Sequence, residues 1–142
     1  MSPRWEPDPD LRRGRHVISS LHAHLVFVTK YRSGVFTDET LTRCEEIMRE
    51  VCESFEAELR EFNGEEDHVH LLVHYPPKVA LSKLVNSLKG VSSRYLRQEY
   101  TDTTNRAITH GHLWAPSYFA GSCGGTPIQL VQDYIENQKR PT

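Results

Sequence analysis

The sequence has few cysteines and no long hydrophobic run. Cys44, Cys52 and Cys123 are odd in number and lack a CxxC spacing, which argues against a disulfide framework or a structural zinc site. The apolar runs are far shorter than the ~20 residues that a membrane span needs, and residues 1–16 are charged and proline-rich where a signal peptide would be apolar. We therefore expect a cytoplasmic protein with no membrane contact.

The chain also has little net charge, but its charges are unevenly distributed. The formal net charge is −2, and residues 38–67 contain 12 of the 19 acidic residues and only 3 of the 17 basic ones. The rest of the chain carries 14 Lys and Arg against 7 Asp and Glu. A mostly basic surface of this kind suits a nucleic-acid partner, although an ordinary protein with one acidic helix would have the same distribution.

The length of 142 residues fits a single domain. Residues 1–16 contain Pro3, Pro7 and Pro9 and have no hydrophobic periodicity, so we assign them to a flexible N-terminal arm. Residues 17–142 then form one domain.

Hydrophobic periodicity predicts strands and helices in a definite order. Asn63-Gly64 favours a tight hairpin turn, and Thr126-Pro127 favours the start of the last helix. The predicted elements are a strand over 19–31, a helix from Thr37 or Asp38, strands on either side of Asn63-Gly64, a helix over 79–100, a strand within 113–122 and a helix from Thr126 to about Lys139. This order predicts an α+β fold, a ferredoxin-like or RRM-like split βαβ sandwich with an antiparallel sheet and an added C-terminal helix.

The predicted side-chain directions define two faces of the sheet. On the strand DHVHLLVHY, Val69, Leu71 and Val73 point one way, while His68, His70, Leu72 and His74 point the other. We expect two helices to cover the first face and the second face to be open. The inner face of the 79–100 helix is predicted to comprise Leu81, Leu84, Val85, Leu88, Tyr95 and Leu96.

His68 and His70 are the unusual residues of this strand. Residues at i and i+2 lie roughly 6.5–7 Å apart and point the same way, so two imidazoles can converge on one metal ion. A bare His-x-His pair is more often a pair of half-buried, hydrogen-bonded histidines, and a metal site needs a third ligand. His74 lies on the same face, where we expect it to be peripheral.

The last predicted helix carries a second notable pair. In LVQDYIENQ, Tyr134 and Gln138 are four residues apart and therefore share a helix face. Taken singly, Tyr134 fits a core aromatic residue and Gln138 an exposed polar one. A phenol and a carboxamide on one face, together with a His-x-His strand, form a more specific set.

This set resembles the single-tyrosine HUH transposases, the TnpA-like family of small insertion sequences that transpose as single-stranded DNA. The resemblance covers residues 17–138. It rests on HLVFVTKYR at 24–32, DHVHLLV at 67–73, LVNSLKGVSSRYLR at 84–97, LWAPSYFAGSCGG at 113–125 and YIENQ at 134–138.

The resemblance implies a role for each residue of the set. His68, His70 and Gln138 match the ligands of a divalent ion, Mg²⁺ or Mn²⁺, and Tyr134 matches the nucleophile that forms a 5′-phosphotyrosine. It also implies a homodimer with composite active sites, in which the tyrosine helix docks on the partner subunit.

The resemblance further implies a substrate, single-stranded DNA folded into an imperfect hairpin. Tyr118, Phe119 or Trp114 could stack on bases, although we expect Trp114 and Phe119 to lie in the core. The basic side chains expected to contact phosphates are Lys30, Arg32, Lys83, Lys89, Arg94 and Arg97.

Three other interpretations use some of the same residues. A histidine-triad nucleotide hydrolase would leave Tyr134 and Gln138 without a role, and His74 comes two residues too late for its motif. A non-catalytic binder of the RNA-recognition type would need aromatic residues in place of the histidines. A domesticated relative that binds and cuts repeated palindromes in host DNA would have nearly the same sequence.

Overall fold

A four-stranded antiparallel sheet forms the centre of the molecule. The computed structural model describes residues 10–101, 112–123 and 128–141. Its elements are β1 (Arg12–Arg13), β2 (Ile18–Ser19), β3 (His22–Thr29), a 3₁₀ turn (Lys30–Arg32), α1 (Asp38–Ser54), β4 (Glu58–Glu65), β5 (His68–His74), α2 (Leu81–Glu99), β6 (Trp114–Ser122) and α3 (Ile128–Glu136). The strand order is β4-β5-β3-β6, and each neighbouring pair is antiparallel. The predicted mixture of helices with an antiparallel sheet is confirmed.

Helix α1 begins directly after Thr37, as the sequence predicts. The Thr37 hydroxyl accepts a hydrogen bond from the Thr40 backbone N–H at 3.2 Å, and the Thr40 hydroxyl accepts one from the Thr37 N–H at 2.7 Å. This reciprocal pair satisfies backbone donors that the helix itself leaves without partners. The buried side chains at helical spacing are Thr40, Leu41, Cys44, Ile47, Met48, Val51 and Cys52.

The main core lies between the sheet and the helices α1 and α2. Alternate residues of β3 and β5, such as Leu25 and Leu71, point into it. Helix α2 contributes Leu84, Val85, Leu88 and Leu96. The prediction that Tyr95 belongs to this inner face is wrong: Tyr95 is exposed, with the Arg94 guanidinium 5.2 Å from its ring centroid. Four residues before Leu96, the buried position is occupied by Ser92.

The hairpin between β4 and β5 turns later than predicted. Its turn residues are Glu66 and Asp67, and Asn63-Gly64 lies within β4, with Gly64 opposite Val69. The prediction of a turn at Asn63-Gly64 is therefore wrong. Glycine is needed there for a different reason, because a Cβ atom at Gly64 would collide with the His68 carbonyl oxygen and lie 3.0 Å from the Val69 Cα.

The second face of the sheet is not open, because α3 packs across β4 and β5. Leu72, which points away from the main core, forms a small apolar cluster with Cys123 and Ile135. The Asn63 side chain donates hydrogen bonds to the carbonyl oxygens of Glu136 at 3.3 Å and Gln138 at 3.1 Å, at the end of the helix. Helix α3 ends at Glu136, earlier than predicted, and its expected start at Thr126 lies outside the described residues.

The N-terminal segment forms a small hairpin against the sheet. Arg12 pairs with Ser19, and its guanidinium donates a hydrogen bond to the His74 carbonyl oxygen at 3.2 Å. Arg12 and Arg13 are thus paired in a strand, although the division into an arm at 1–16 and a domain at 17–142 stays a prediction. Within the described ranges, no helix is long and apolar enough to cross a membrane.

Candidate active site

His68 and His70 lie next to each other on an inner strand, on the face that α3 covers. Their ring centroids are 5.1 Å apart, and the two rings are inclined at 81°. The register fixes their position, because His68 is opposite Val28 and His70 is opposite Val26 on β3.

The His68 ring is oriented by a carboxylate. Its Nδ1 atom lies 2.7 Å from Asp67 Oδ1, and Asp67 Oδ2 accepts a hydrogen bond from Arg32 Nε at 3.3 Å. Burial alone would raise the pKa of Asp67, but the hydrogen bonds from His68 and Arg32 outweigh it and lower the pKa. Because a carboxylate only accepts hydrogen bonds, Nδ1 carries the proton and the Nε2 lone pair is available to a metal ion.

The His70 ring is held by a second histidine. Its Nδ1 atom lies 3.0 Å from His24 Nε2. Burial, with smaller contributions from His24 and His68, lowers the pKa of His70 to about 4, and burial also lowers the pKa of His24. His70 is only 6% exposed and is neutral at pH 7, the form in which imidazole binds metals.

Tyr134 lies on α3 directly beside this group. Its ring centroid is 5.5 Å from that of His70, at an interplanar angle of 86°, and 6.1 Å from that of His24. The neighbouring Ile135 is buried and anchors the helix, while Tyr134 itself is 54% exposed. The structure therefore brings the phenol and the imidazole pair of one chain together, with the phenol exposed to solvent.

Gln138 lies just beyond the end of α3. Its backbone N–H donates to the Ile135 carbonyl oxygen at 3.1 Å, and its side-chain amide donates to the Tyr134 carbonyl oxygen at 3.4 Å. The Gln138 side chain therefore lies next to the helical turn that contains Tyr134, and it is hydrogen-bonded to the backbone of that turn.

The donor set fits a divalent ion that accepts nitrogen ligands. Among the described residues, no group of three or more His, Cys, Asp or Glu side chains is arranged to hold a metal ion. His68 and His70, each with Nδ1 engaged in a hydrogen bond, have Nε2 as the remaining ring nitrogen, and the Gln138 amide oxygen is a third candidate ligand. Imidazole nitrogens suit Mn²⁺ better than Mg²⁺, which prefers oxygen.

Sequence reasoning did not identify His24 as part of the site. Its position follows from the register of β3 against β5, because His24 is opposite Leu72 and therefore diagonal to His70 on the same face. His74, which was expected to be peripheral to the metal site, is buried and stacks on His22 with ring centroids 4.1 Å apart.

Four of the six predicted phosphate contacts line one groove between α2 and β6. The groove has a volume of about 610 Å³ and is lined in part by Lys30, Lys89, Arg94 and Arg97. Lys83 instead lines a separate concavity together with Lys78 and Glu56, and Arg32 pairs with Asp67.

Lys89 has a structural contact within this groove. Its ammonium group donates hydrogen bonds to the carbonyl oxygens of Ala115 at 2.7 Å and Pro116 at 3.2 Å, and burial lowers its pKa. Lys30, Arg94 and Arg97 are therefore the better candidates for binding a phosphate.

The three aromatic residues considered for base stacking differ in exposure. Trp114 is buried, as expected, and its indole N–H donates a hydrogen bond to Ser92 Oγ at 3.0 Å. Phe119 was expected in the core but is 55% exposed, because it lies on β6 at the edge of the sheet, and Tyr118 beside it is also exposed. Of these three residues, Tyr118 and Phe119 are therefore the exposed ones.

Comparisons with known proteins identify the family of this chain. Residues 17–138 match the family described as "Transposase IS200 like". The chain is 30% identical to the ISDra2 transposase TnpA of Deinococcus radiodurans over 91% of each chain. It is 31% identical to the transposase for insertion sequence element IS200 of Salmonella typhimurium, over 81% of this chain and 74% of that one.

Two solved transposase structures have a fold similar to that of this chain. A transposase crystal structure from Deinococcus radiodurans R1 superposes with a TM-score of 0.72 and 31% identity, covering 91% of this chain and 98% of that one. A REP-associated tyrosine transposase bound to a REP hairpin shares the fold, with a TM-score of 0.62 and 13% identity over 87% of this chain and 69% of that one. The chain belongs to the IS200-like transposases, which are single-tyrosine HUH transposases. Proteins of this class cleave DNA and transfer strands.

Proposed function

We propose that this transposase cuts and rejoins single-stranded DNA at the hairpin-bearing ends of an insertion sequence, in the cytoplasm, through a covalent bond to Tyr134. The observation that carries the proposal is the Tyr134 ring, which lies 5.5 Å from the ring of His70. A solvent-exposed phenol beside two oriented imidazoles suits a reaction in which the phenol attacks a phosphate placed over the imidazoles.

In this proposal, His68 and His70 hold a divalent ion, Mg²⁺ or Mn²⁺, through their Nε2 atoms, and Gln138 contributes its amide oxygen. The ion, when bound, supplies positive charge next to the scissile phosphate, where negative charge develops in the transition state. Asp67 keeps the proton of His68 on Nδ1, so that this ring presents only its lone pair to the site.

Tyr134 takes the role of nucleophile. Its phenol loses a proton, and Oη attacks the phosphorus in line with the bond to the 3′ oxygen. The Oη–phosphorus bond forms, the bond to the 3′ oxygen breaks, and the departing oxygen takes up a proton to become a 3′-hydroxyl. The product is a 5′-phosphotyrosine, and attack by another 3′-hydroxyl reverses the step and joins two strands without ATP.

The substrate is single-stranded DNA carrying a hairpin. Lys30, Arg94 and Arg97 would bind phosphates along the groove between α2 and β6. Tyr118 and Phe119 would stack on unpaired bases. We further assign the strand order β4-β5-β3-β6, with helices between β3 and β4 and between β5 and β6, to the ferredoxin-like split βαβ class.

The working unit would be a homodimer. One tyrosine makes one cut, and moving a DNA segment requires two cut ends. In the composite arrangement, α3 would dock on the partner subunit through the same small cluster of Leu72, Cys123 and Ile135 that it uses here. Exchange of an identical element between subunits is a low-cost route to a dimer.

The test is formation of a covalent adduct. The protein is mixed with single-stranded flanking DNA and Mn²⁺, and a DNA-linked band is sought on a denaturing gel. Tyr134→Phe should abolish the band, His68→Ala or His70→Ala should reduce it severely, and Gln138→Ala should reduce it less. An adduct formed by Tyr134→Phe would show that another residue is the nucleophile.

A domesticated relative that cuts repeated host palindromes would have the same site. The identity of 30% or more to transposases named for insertion sequences, over most of the chain, favours the insertion-sequence role. Cleavage assays that compare DNA flanking the coding region with dispersed genomic palindromes distinguish the two roles.

A further inference from the structure

A hydrogen bond between two imidazoles links β3 to the metal-binding strand. His24 and His70 are diagonal neighbours on one sheet face, with His24 Nε2 3.0 Å from His70 Nδ1. Their ring centroids are 5.2 Å apart and the rings are inclined at only 26°. The bond therefore fixes how the His70 ring is turned about its own axis.

A hydrogen bond between two ring nitrogens contains a single proton, so its direction decides which nitrogen of His70 can bind a metal. If His24 donates from Nε2, neutral His70 carries its proton on Nε2 and has no lone pair there. If His70 donates from Nδ1, its Nε2 lone pair is exposed to the site. Only the second arrangement matches His68, whose Nδ1 is held by Asp67.

We propose that His24 is a positioning residue, which accepts the proton of His70 Nδ1–H and thereby presents His70 Nε2 to the divalent ion. This inference rests on the proposed function, because it assumes that His70 is a metal ligand. The two ligands then differ in their supports, a carboxylate for His68 and a neutral imidazole for His70.

The neutral support has a physical advantage at this position. His24 lies 6.1 Å from the Tyr134 ring and 5.9 Å from the Phe119 ring, measured between centroids. A second carboxylate at that point would place a negative charge next to the nucleophile and the incoming phosphodiester, and like charges repel strongly in a half-buried site. An imidazole acceptor orients His70 without that repulsion.

Mn²⁺ binding to the DNA-free protein tests the inference without measuring catalysis. We expect His24→Leu to raise the Mn²⁺ dissociation constant roughly 10- to 100-fold, which is the usual effect of losing a residue that hydrogen-bonds to a metal ligand. His24→Gln, whose amide oxygen can accept a hydrogen bond near the former Nε2 position, should restore most of the affinity. His22→Leu is the matched control, since His22 lies two residues away on the same face and stacks on His74.

Nitrogen-15 spectra of His70 give a second measurement that needs no variant. With Mg²⁺ present, the wild-type spectrum should show His70 protonated on Nδ1. Protonation on Nε2 would overturn the inference, even if His24→Leu fails to fold.

The outcomes separate this inference from the proposed function. If His68→Ala loses Mn²⁺ affinity and folded His24→Leu retains it, the role of His24 is wrong and the proposed function stands. If Tyr134→Phe still forms the adduct, the proposed nucleophile is wrong, whatever the result at His24. Equal loss of affinity in His24→Leu and His24→Gln would also overturn the inference, since it would show that volume and not hydrogen bonding matters.

Discussion

Histidines on two neighbouring strands share one face of the sheet, and their contacts decide what each can do. His68 is held by Asp67, His70 by His24, and His74 stacks on His22. Burial is the largest cause of the lowered pKa values of His70 and His74, each of which falls to about 4. The same residue type therefore supplies the proposed metal ligands at one end of the strand and a packed, neutral pair at the other.

The lowered pKa of His74 predicts a dependence of stability on pH. Unfolded His74 takes up a proton near its ordinary pKa of 6.5, whereas folded His74 does so only near 4. The unfolded state thus binds more protons between these values, and stability falls as the pH decreases from about 6.5 to 4. We expect urea midpoints to fall less steeply over this interval in His74→Leu than in the wild type, and equal slopes would contradict the assignment.

At this scale, period-two alternation was sufficient to predict that His68 and His70 share a face. It could not predict His24, because the contact between His24 and His70 depends on the register between strands that are distant in sequence. Phe119 was misplaced for a similar reason. Its hydrophobicity suggested the core, but β6 is an edge strand and part of its surface faces solvent.

Among the elements, the β4–β5 hairpin carries both proposed histidine ligands and depends on a glycine. A Cβ at Gly64 would collide with the backbone of the facing strand. We expect Gly64→Ala to destabilise the protein by about 1–3 kcal/mol in urea unfolding, as overpacking does. Gly90→Ala is the matched control, since a Cβ there meets nothing within 4 Å and Ala should stabilise α2 by about 0.5–1 kcal/mol. Equal effects at the two glycines would contradict this account.

The docking of α3 includes a pair of carboxyl groups. Burial, together with the charge and hydrogen bond of Glu136, raises the pKa of Glu61 to about 7. The folded state therefore favours protonated Glu61, and the free energy of unfolding decreases as the pH rises from about 4.5 to 7. Glu61→Gln should raise the urea midpoint at pH 8 and have a smaller effect at pH 4.5.

Glu65→Gln, on the same strand, is the control for this prediction. A similar increase of the urea midpoint in both variants at pH 8 would show that removing any negative charge stabilises the protein, whether or not the residue contacts α3.

The helix and strand boundaries were predicted correctly where residues close in sequence determine them. The start of α1 was predicted at Thr37 or Asp38 from local sequence, and Thr37 is the residue that caps the helix. Asn63-Gly64 has the composition of a tight turn, but the strand continues through it because Gly64 permits close contact with β5 and Asn63 binds the end of α3. Both reasons depend on tertiary contacts that a local pattern does not contain.

For the whole molecule, the low net charge hides a separation of charge that should govern DNA binding. The acidic stretch at 38–67 comprises α1, β4 and the turn after β4, whereas the groove beside β6 is basic. Arg94→Gln should weaken binding of single-stranded DNA and reduce the slope of log K against log salt by roughly 0.7, which is the value for one phosphate contact.

Lys78→Gln is the charge-matched control for this prediction, since Lys78 lies outside the groove and pairs with Glu56. Equal losses of affinity in Arg94→Gln and Lys78→Gln would show that total charge, and not the groove, controls binding.

A composite dimer can be tested by mixing two inactive variants. Tyr134→Phe retains the histidine pair, and His68→Ala retains the tyrosine, so an exchanged α3 would rebuild one complete site in each mixed dimer. We expect the mixture to form the covalent adduct that neither variant forms efficiently alone. Absence of the adduct in mixed dimers would assign each site to a single chain, as the cis placement of Tyr134 beside His70 allows.

Arg140 ties the tail of the chain to two distant elements. Its guanidinium donates hydrogen bonds to Asn63 at 2.6 Å and to Asp38 and Thr42, at the beginning of α1, at 3.1 Å each. Proteolytic cleavage immediately before Arg140 would release this tether and leave every candidate catalytic group intact. Preparations with and without Arg140 would then differ in how firmly the segment that carries Tyr134 is held. Intact mass should therefore be checked before their activities are compared.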